Sequence, residues 1–306
     1  MIFEKPEIFY KEFPYKYWLY KAEMLYKMIG DDESLLHDSD GNLEALGGNE
    51  KEFKQMLKYE LHFTYYHQAE ALFELIFALE KVINDSKYVW LELSNVKSGD
   101  MHRFNKKVKQ ISDGSDRLRD KKVDLTDGRK ITFYEWLIFD VFVPELEKTD
   151  QQVKTSIEKV DSIIQVAADD LASKKEYNAF KHGMRVLHLF KYFKISDKEQ
   201  QKFELNFDLS NSFTYINFPK ENEEEGTKGG DIQAVTKGYS PKQDLFKIKL
   251  ITFLMSGIIE SRKMRYFGKG KIMEFFEYDI LEKLNELRPK TENITYTLHA
   301  DSYDEN

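Results

Sequence analysis

Residues 63–83, FTYYHQAEALFELIFALEKVI, leave a chain like this few ways to fold. In helical register the apolar side chains fall on nearly every side. A helix that is hydrophobic all round must be covered all round, so it belongs at the centre of a bundle or at a subunit interface. The pattern predicts one long helix from about Glu50 to Ile83. The chain can supply the cover: 306 residues are 41% hydrophobic and 14% aromatic, with 23 Phe and 18 Tyr. That composition describes a globular chain with a sizeable core.

The flanking segments read mostly as helix. Tyr17, Trp18, Ala22, Leu25 and Ile29 recur at helical spacing in 14–29, and a polar stretch with DG and GG turn signals follows to about residue 49. Residues 88–93 are short and ambiguous. VDLTDGRKITF, from Val123, places DG between two alternating runs and predicts a hairpin. Thr132 and Glu135 have capping-box spacing in front of a helix through FYEWLIFDVFVPEL. Thr149 or Asp150 opens another, with Val153, Ile157, Val160, Ile164, Ala167 and Leu171 on one stripe. A second helix is expected to carry KKEYNAFKHGMRVLH and to end at SDKEQ. The period then switches to two. ELNFDLS and SFTYINF are expected to pair with each other, with IQAVTKGY as a third strand. ENEEEGTKGGD, 221–231, reads as a charged loop. Ser240 and Pro241 begin a helix to about Arg265, and a short helix near 270–288 precedes a polar tail.

The expected fold is therefore mainly α: a helical bundle with a small antiparallel β-insert at about 203–239. Residues 1–49 read as an N-terminal helical extension, 50–270 as the bundle, and 271–306 as a C-terminal helix and tail. Parallel βαβ alternation is missing, which argues against a doubly wound fold.

Composition narrows the chemistry. With no cysteine, disulfides, thiolate catalysis and Cys-based zinc sites are excluded. MIFEKPEIFYKEF lacks the basic-then-apolar order of a signal peptide, and charges interrupt every apolar run. A cytoplasmic protein without membrane contact is expected. Phosphate-loop and dinucleotide fingerprints are absent, GKGK at 268–271 having the wrong spacing. HExxH and GxSxG are absent too. His67, Glu70 and Glu74 share a helix face, but no second helix carries the matching motif of a di-metal bundle. They read as a polar seam, and neither metal nor cofactor is expected. Asp169 and Asp170 are adjacent, so they point apart on a helix and make a poor dyad.

Charge is uneven. The whole chain is at −8, yet residues 96–130 hold eleven Lys and Arg against six Asp. Lys106, Lys107, Lys109, Arg117, Arg119, Lys121 and Lys122 form a candidate phosphate-tracking surface. Phe104 is the one aromatic residue of that segment, which limits base stacking. A solvated loop of mixed charge would have the same composition.

The most specific cluster is KKEYNAFKHGMRVLH, 174–188. In a helix, Asn178, His182 and Arg185 share a face, flanked by Tyr177, Lys181 and His188. An imidazole beside a guanidinium and an ammonium suits a phosphodiester, with His as acid or base and the cations stabilising developing charge. Ordinary exposed charges around a packing histidine would show the same spacing.

YNAFKHG resembles the signature of the HEPN superfamily, helical domains of nucleases, toxins and anti-phage systems. The likeness covers about residues 50–200 and 240–266. The family motif is an Arg, often followed by Asn or another polar residue, then a His four to six residues after the Arg, often followed by Gly. Asn178, His182 and Gly183 match, and Tyr177 stands where the Arg would be. The resemblance implies a homodimer with two motif copies facing each other. It leaves open two readings. One is a nucleic-acid- or nucleotide-associated protein of an anti-phage or toxin–antitoxin unit, without catalysis and with a protein partner. The other is a metal-independent endoribonuclease, with His182 as acid or base, Asn178 orienting it and Arg185 or Lys181 holding phosphate. Tyr177 and His188 would complete the substrate contacts. Outside the resemblance, a non-catalytic helical interaction protein is the third reading.

Overall fold

The computed structural model describes residues 5–30, 50–83, 89–98, 101–116, 118–142, 150–173, 175–181, 186–187, 192–196, 204–208, 211–217, 232–271, 279–289 and 293–298. In chain order the first elements are α1 (Pro6–Glu12), α2 (Tyr17–Gly30), α3 (Glu50–Lys81), α4 (Val89–Ser98) and α5 (Met101–Ser112). The hairpin β1 (Lys122–Asp124) and β2 (Lys130–Thr132) follows, then α6 (Phe133–Phe139), α7 (Asp150–Ala172) and α8 (Lys175–Lys181). Next come β3 (Val186–Leu187), β4 (Tyr192–Ser196), β5 (Glu204–Asp208), β6 (Ser212–Asn217) and β7 (Ile232–Gly238). The described chain closes with α9 (Pro241–Phe267), α10 (Ile280–Glu286) and β8 (Asn293–Leu298). The chain is a mainly α helical bundle with small antiparallel sheets. No described helix is long and apolar enough to cross a membrane.

Two compact units share the chain. One takes residues 1–27, 63–173 and 245–286, and the other 28–62, 174–244 and 287–306. In the first, α3 is buried on nearly all sides, through Phe63, Tyr66, Leu72, Phe73, Ile76 and Leu79 among others. Polar groups on such a helix are cut off from water and need partners. Gln68 Nε2 donates to Thr252 Oγ1 of α9 at 2.7 Å. The Tyr65 hydroxyl donates to Asp170 Oδ2 at 2.5 Å, and Lys247 Nζ reaches the same oxygen at 2.7 Å. Asp169 instead accepts from Ser112 Oγ and Gln165 Nε2, so the two adjacent carboxylates serve different neighbours. Helix α5 packs on α7, burying Phe104, Val108 and Ile111.

Local rules shape the connection into α6. Gly128 takes φ 87 in the DG turn, the left-handed region that a Cβ disfavours. Val123 sits opposite Ile131 across the hairpin, and both are buried. Thr132 Oγ1 then accepts from Glu135 N at 3.2 Å, while Glu135 Oε2 accepts from Thr132 N at 2.5 Å. This is the reciprocal capping box that the spacing predicts.

In the second unit, β3, β6, β7 and β8 form one antiparallel sheet in the order β3–β6–β7–β8, and β4 pairs with β5. Directly opposed polar pairs tie β6 to β7: Thr214 with Thr236 at 2.8 Å, and Asn217 with Gln233 at 2.9 Å. At the N-terminal part of α9, Ser240 Oγ accepts from Gln243 N, as an N-cap should.

Three expectations are corrected here. The helix expected to run from 174 to SDKEQ is described over Lys175–Lys181 and does not continue through the segment, since 186–187 and 192–196 are strands. ELNFD and SFTYIN are strands but not partners of each other: β5 pairs with β4, and β6 lies between β3 and β7. The polar tail contains β8, in register with β7. Residues 88–93, ambiguous in sequence, enter α4 at Val89. The helix expected through FYEWLIFDVFVPEL ends at Phe139, and the segments 31–49 and 221–231 lie outside the described residues. Replacing the cap by Thr132→Ala is expected to lower stability by about 1 kcal/mol in urea denaturation, with an unchanged denaturant slope.

Candidate functional site

The motif helix α8 is seven residues long. It contacts β6 and β3, and its Glu176, 1% exposed, forms an ion pair with Lys237 of β7. Glu176 also acts on Tyr215 of β6, whose hydroxyl is pushed up to about 12, chiefly by burial and then by that carboxylate. Tyr177 is wholly buried, and Lys181 Nζ lies 5.3 Å from its ring centre. Asn178 and Lys181 are exposed. Of the candidate residues, the structure thus describes Tyr177, Asn178 and Lys181, while His182, Arg185 and His188 lie outside the described residues. Helical spacing does not carry through to Val186, where the chain is a strand paired with Tyr215.

The basic segment resolves into two kinds of cation. Lys107 and Lys121 both reach Glu80 of α3, the latter at 2.9 Å, and Arg119 pairs with Asp161 of α7 at 2.9 Å. These three charges are used within the fold. Arg117 is outside the described residues. On α5, His102, Arg103, Lys106 and Lys109 are exposed, opposite the buried Phe104, Val108 and Ile111. Lys122, at the start of β1, is exposed too. The segment is therefore a helix with one apolar face and one basic face, followed by a hairpin, and not a solvated loop.

Burial alone would push the Glu80 carboxyl up, but hydrogen bonds and charge from Lys107 and Lys121 outweigh it and hold the group below its ordinary value of 4.5. A depressed carboxylate contributes stability that is present above its unfolded value and is lost as pH falls through the folded one. Glu80→Gln is expected to cost about 1.5 kcal/mol at pH 7. The difference from wild type should shrink below pH 4.5, as read from urea midpoints across pH.

Sequence spacing does not single out His62, which the fold pairs with a residue 182 positions away. Its Nδ1 lies 3.0 Å from Asp244 Oδ2, in the second unit. Tyr239 and Phe213 flank the ring at 5.3 and 5.4 Å and stack on each other. A carboxylate that orients an imidazole through Nδ1 is the arrangement of a catalytic base. Here the two side chains are only 8% and 3% exposed, so access favours a packing role. The hydroxyls nearby are held neutral: burial, then Tyr59 and Asp244, push Tyr239 well up. Asp244→Ala is expected to cost about 1–3 kcal/mol, because it strips a buried imidazole of a partner. An unchanged urea midpoint would show that the pair contributes nothing net.

His67 is exposed whereas Glu70 is buried, so this candidate seam is split between solvent and core. Among the described residues no group of three or more His, Asp or Glu is placed to hold a metal. No protein-family model matches the chain, nor does any curated protein or solved structure.

Proposed function

We propose that this chain is a HEPN-like protein that associates with RNA through phosphate contacts and does not cut it. The observation that carries the reading is the basic face of α5, where His102, Arg103, Lys106 and Lys109 are exposed above a buried apolar face. Lysines held on a rigid helix meet a phosphate backbone at less entropic cost than lysines on a loop. Tyr177 supports the lack of catalysis. It occupies the motif position of the family Arg, and its side chain is inside the fold. The motif likeness is also what suggests an anti-phage or toxin–antitoxin setting, with a protein partner and a homodimer.

Binding of a labelled single-stranded RNA, followed by fluorescence anisotropy over a salt series, tests the proposal. Wild type should bind at low salt and weaken as salt rises. Lys106→Glu with Lys109→Glu should reduce affinity at least tenfold and flatten the salt dependence by about 1.4 in slope, two single-strand phosphate contacts being lost. Binding indifferent to those changes, or no binding at low salt, overturns it. Cleavage by wild type that His182→Ala abolishes would favour the endoribonuclease reading instead.

A further inference from the structure

Helix α2 buries Ala22 and Leu25 and leaves another side open to solvent. Tyr17, Tyr20 and Met24 fall at i, i+3 and i+7, so they share one stripe, and they are 57%, 63% and 57% exposed. Single apolar residues scattered over a surface need no explanation. The other exposed large apolar side chains among the described residues, Met56, Leu91, Ile216, Phe267 and Leu281, are of that kind, each on a different element. Only α2 gathers three of the exposed large apolar side chains among the described residues on one face, and two of them are tyrosines.

Lysines interleave with these rings. Lys16 precedes Tyr20 by one turn, Lys21 follows Tyr17 by one turn, and Lys27 follows Met24 by one turn, so each shares a face with one of the three. The backbone N–H of Tyr20 donates to the Lys16 carbonyl at 3.1 Å, which fixes Lys16 at the start of that face. Glu23, the one acid of α2, meets Lys249 of α9 at 3.6 Å. On a chain of net charge −8 the rings therefore sit in a local excess of positive charge. Trp18, half-buried, meets the Tyr17 ring edge-on with centres 5.7 Å apart, which limits the freedom of that ring before any ligand arrives. Open aromatic faces among ammonium groups match one ligand class on both counts: an unpaired nucleotide brings a base to stack and a phosphate to neutralise. The basic face of α5, in the same compact unit, lacks an exposed ring, which is what α2 supplies.

We propose that Tyr17 and Tyr20 form a stacking platform for single-stranded nucleic acid, with Met24 beside the stack and Lys16, Lys21 and Lys27 on the flanking phosphates. The choice of ligand rests on the reading of α5 as a phosphate-binding face, while the platform is a separate site. Residues at i and i+3 hold their Cβ atoms about 5–6 Å apart, so two neighbouring bases of one strand find a ring each. A duplex keeps its bases stacked on one another and offers the rings no free face. The platform therefore selects unpaired strands, a discrimination that lysines following a phosphate backbone do not make.

Fluorescence anisotropy on the whole chain tests this with three labelled probes: a single-stranded RNA, an abasic strand of the same length, and the same RNA in a duplex. Wild type should prefer the single strand to the other two. Tyr17→Ala with Tyr20→Ala should weaken single-strand binding at least about tenfold and erase the preference over the abasic strand. Its salt dependence should keep the wild-type slope, because no phosphate contact is lost. Tyr17→Phe with Tyr20→Phe should bind as wild type, and both variants should keep the wild-type urea midpoint, the rings being exposed. Undiminished binding by the alanine variant overturns the platform and leaves the reading of α5 standing. Loss in the alanine variant but not in Lys106→Glu with Lys109→Glu supports the platform and removes α5. Wild type that binds no RNA at low salt overturns both. Retention on phosphatidylserine vesicles, or a dimer in light scattering, that the alanine variant loses with its RNA affinity intact gives the face to a lipid surface or a second copy and overturns the platform.

Discussion

The fold depends on covering α3. A helix apolar on almost every side gains stability only when neighbours enclose it, and each polar group carried inside must then be satisfied by one of those neighbours. The sequence places Tyr65 and Gln68 among apolar residues, and the structure answers each with a specific bond. Gln68 meets Thr252, and Tyr65 meets Asp170 together with Lys247. These bonds fix which residues of α9 face α3 in the first unit. Apolar packing alone would tolerate neighbouring registers, whereas a buried amide or hydroxyl left without its partner costs about 1–3 kcal/mol. The polar residues of α3 therefore act as register marks on an otherwise featureless surface.

What was legible in the sequence was local. The all-round apolar pattern of α3, the DG turn, the Thr132–Glu135 box and the Ser240–Pro241 start are each set by residues within a few positions, and each appears as expected. Residues 186–196 failed because VLHLFKYFKIS is a mixed apolar run, in which a strand and a buried helix segment look alike. β8 offered a signal: NITYTL alternates β-branched and aromatic residues, but its position after Pro289 invited a reading as tail. The strand pairings were out of reach, since β7 joins β8 far along the chain, Ile232 opposite Leu298, and β3 joins β6 across a strand pair. The His62–Asp244 and Arg265–Asp140 contacts, at separations of 182 and 125, leave no trace in spacing at all.

The candidate motif shows how spacing and fold separate. Asn178, His182 and Arg185 share a face only while the backbone stays helical, and the described helix ends at Lys181. Among the described residues of that segment, Tyr177, which departs from the pattern the segment resembles, is a core side chain. Glu176 beside it is also spent inside, on Lys237. A segment whose neighbouring residues anchor a helix to a sheet has fewer side chains left for chemistry. This weighs toward a structural use of α8.

The basic face of α5 also limits what it can recognise. Phe104, the segment's one aromatic residue, is buried against Phe77 and is not available to stack on a base. Lys107 and Lys121 are committed to Glu80, and Arg119 to Asp161. What faces outward is His102, Arg103, Lys106 and Lys109, a set able to follow phosphates and with little means of reading base edges. Under the proposed role this surface would bind without sequence preference, and on a chain of net charge −8 its few contacts would be weak and salt-sensitive. Selectivity would then have to come from a second contact of different chemistry, because repeating a phosphate-tracking face raises avidity without reading sequence.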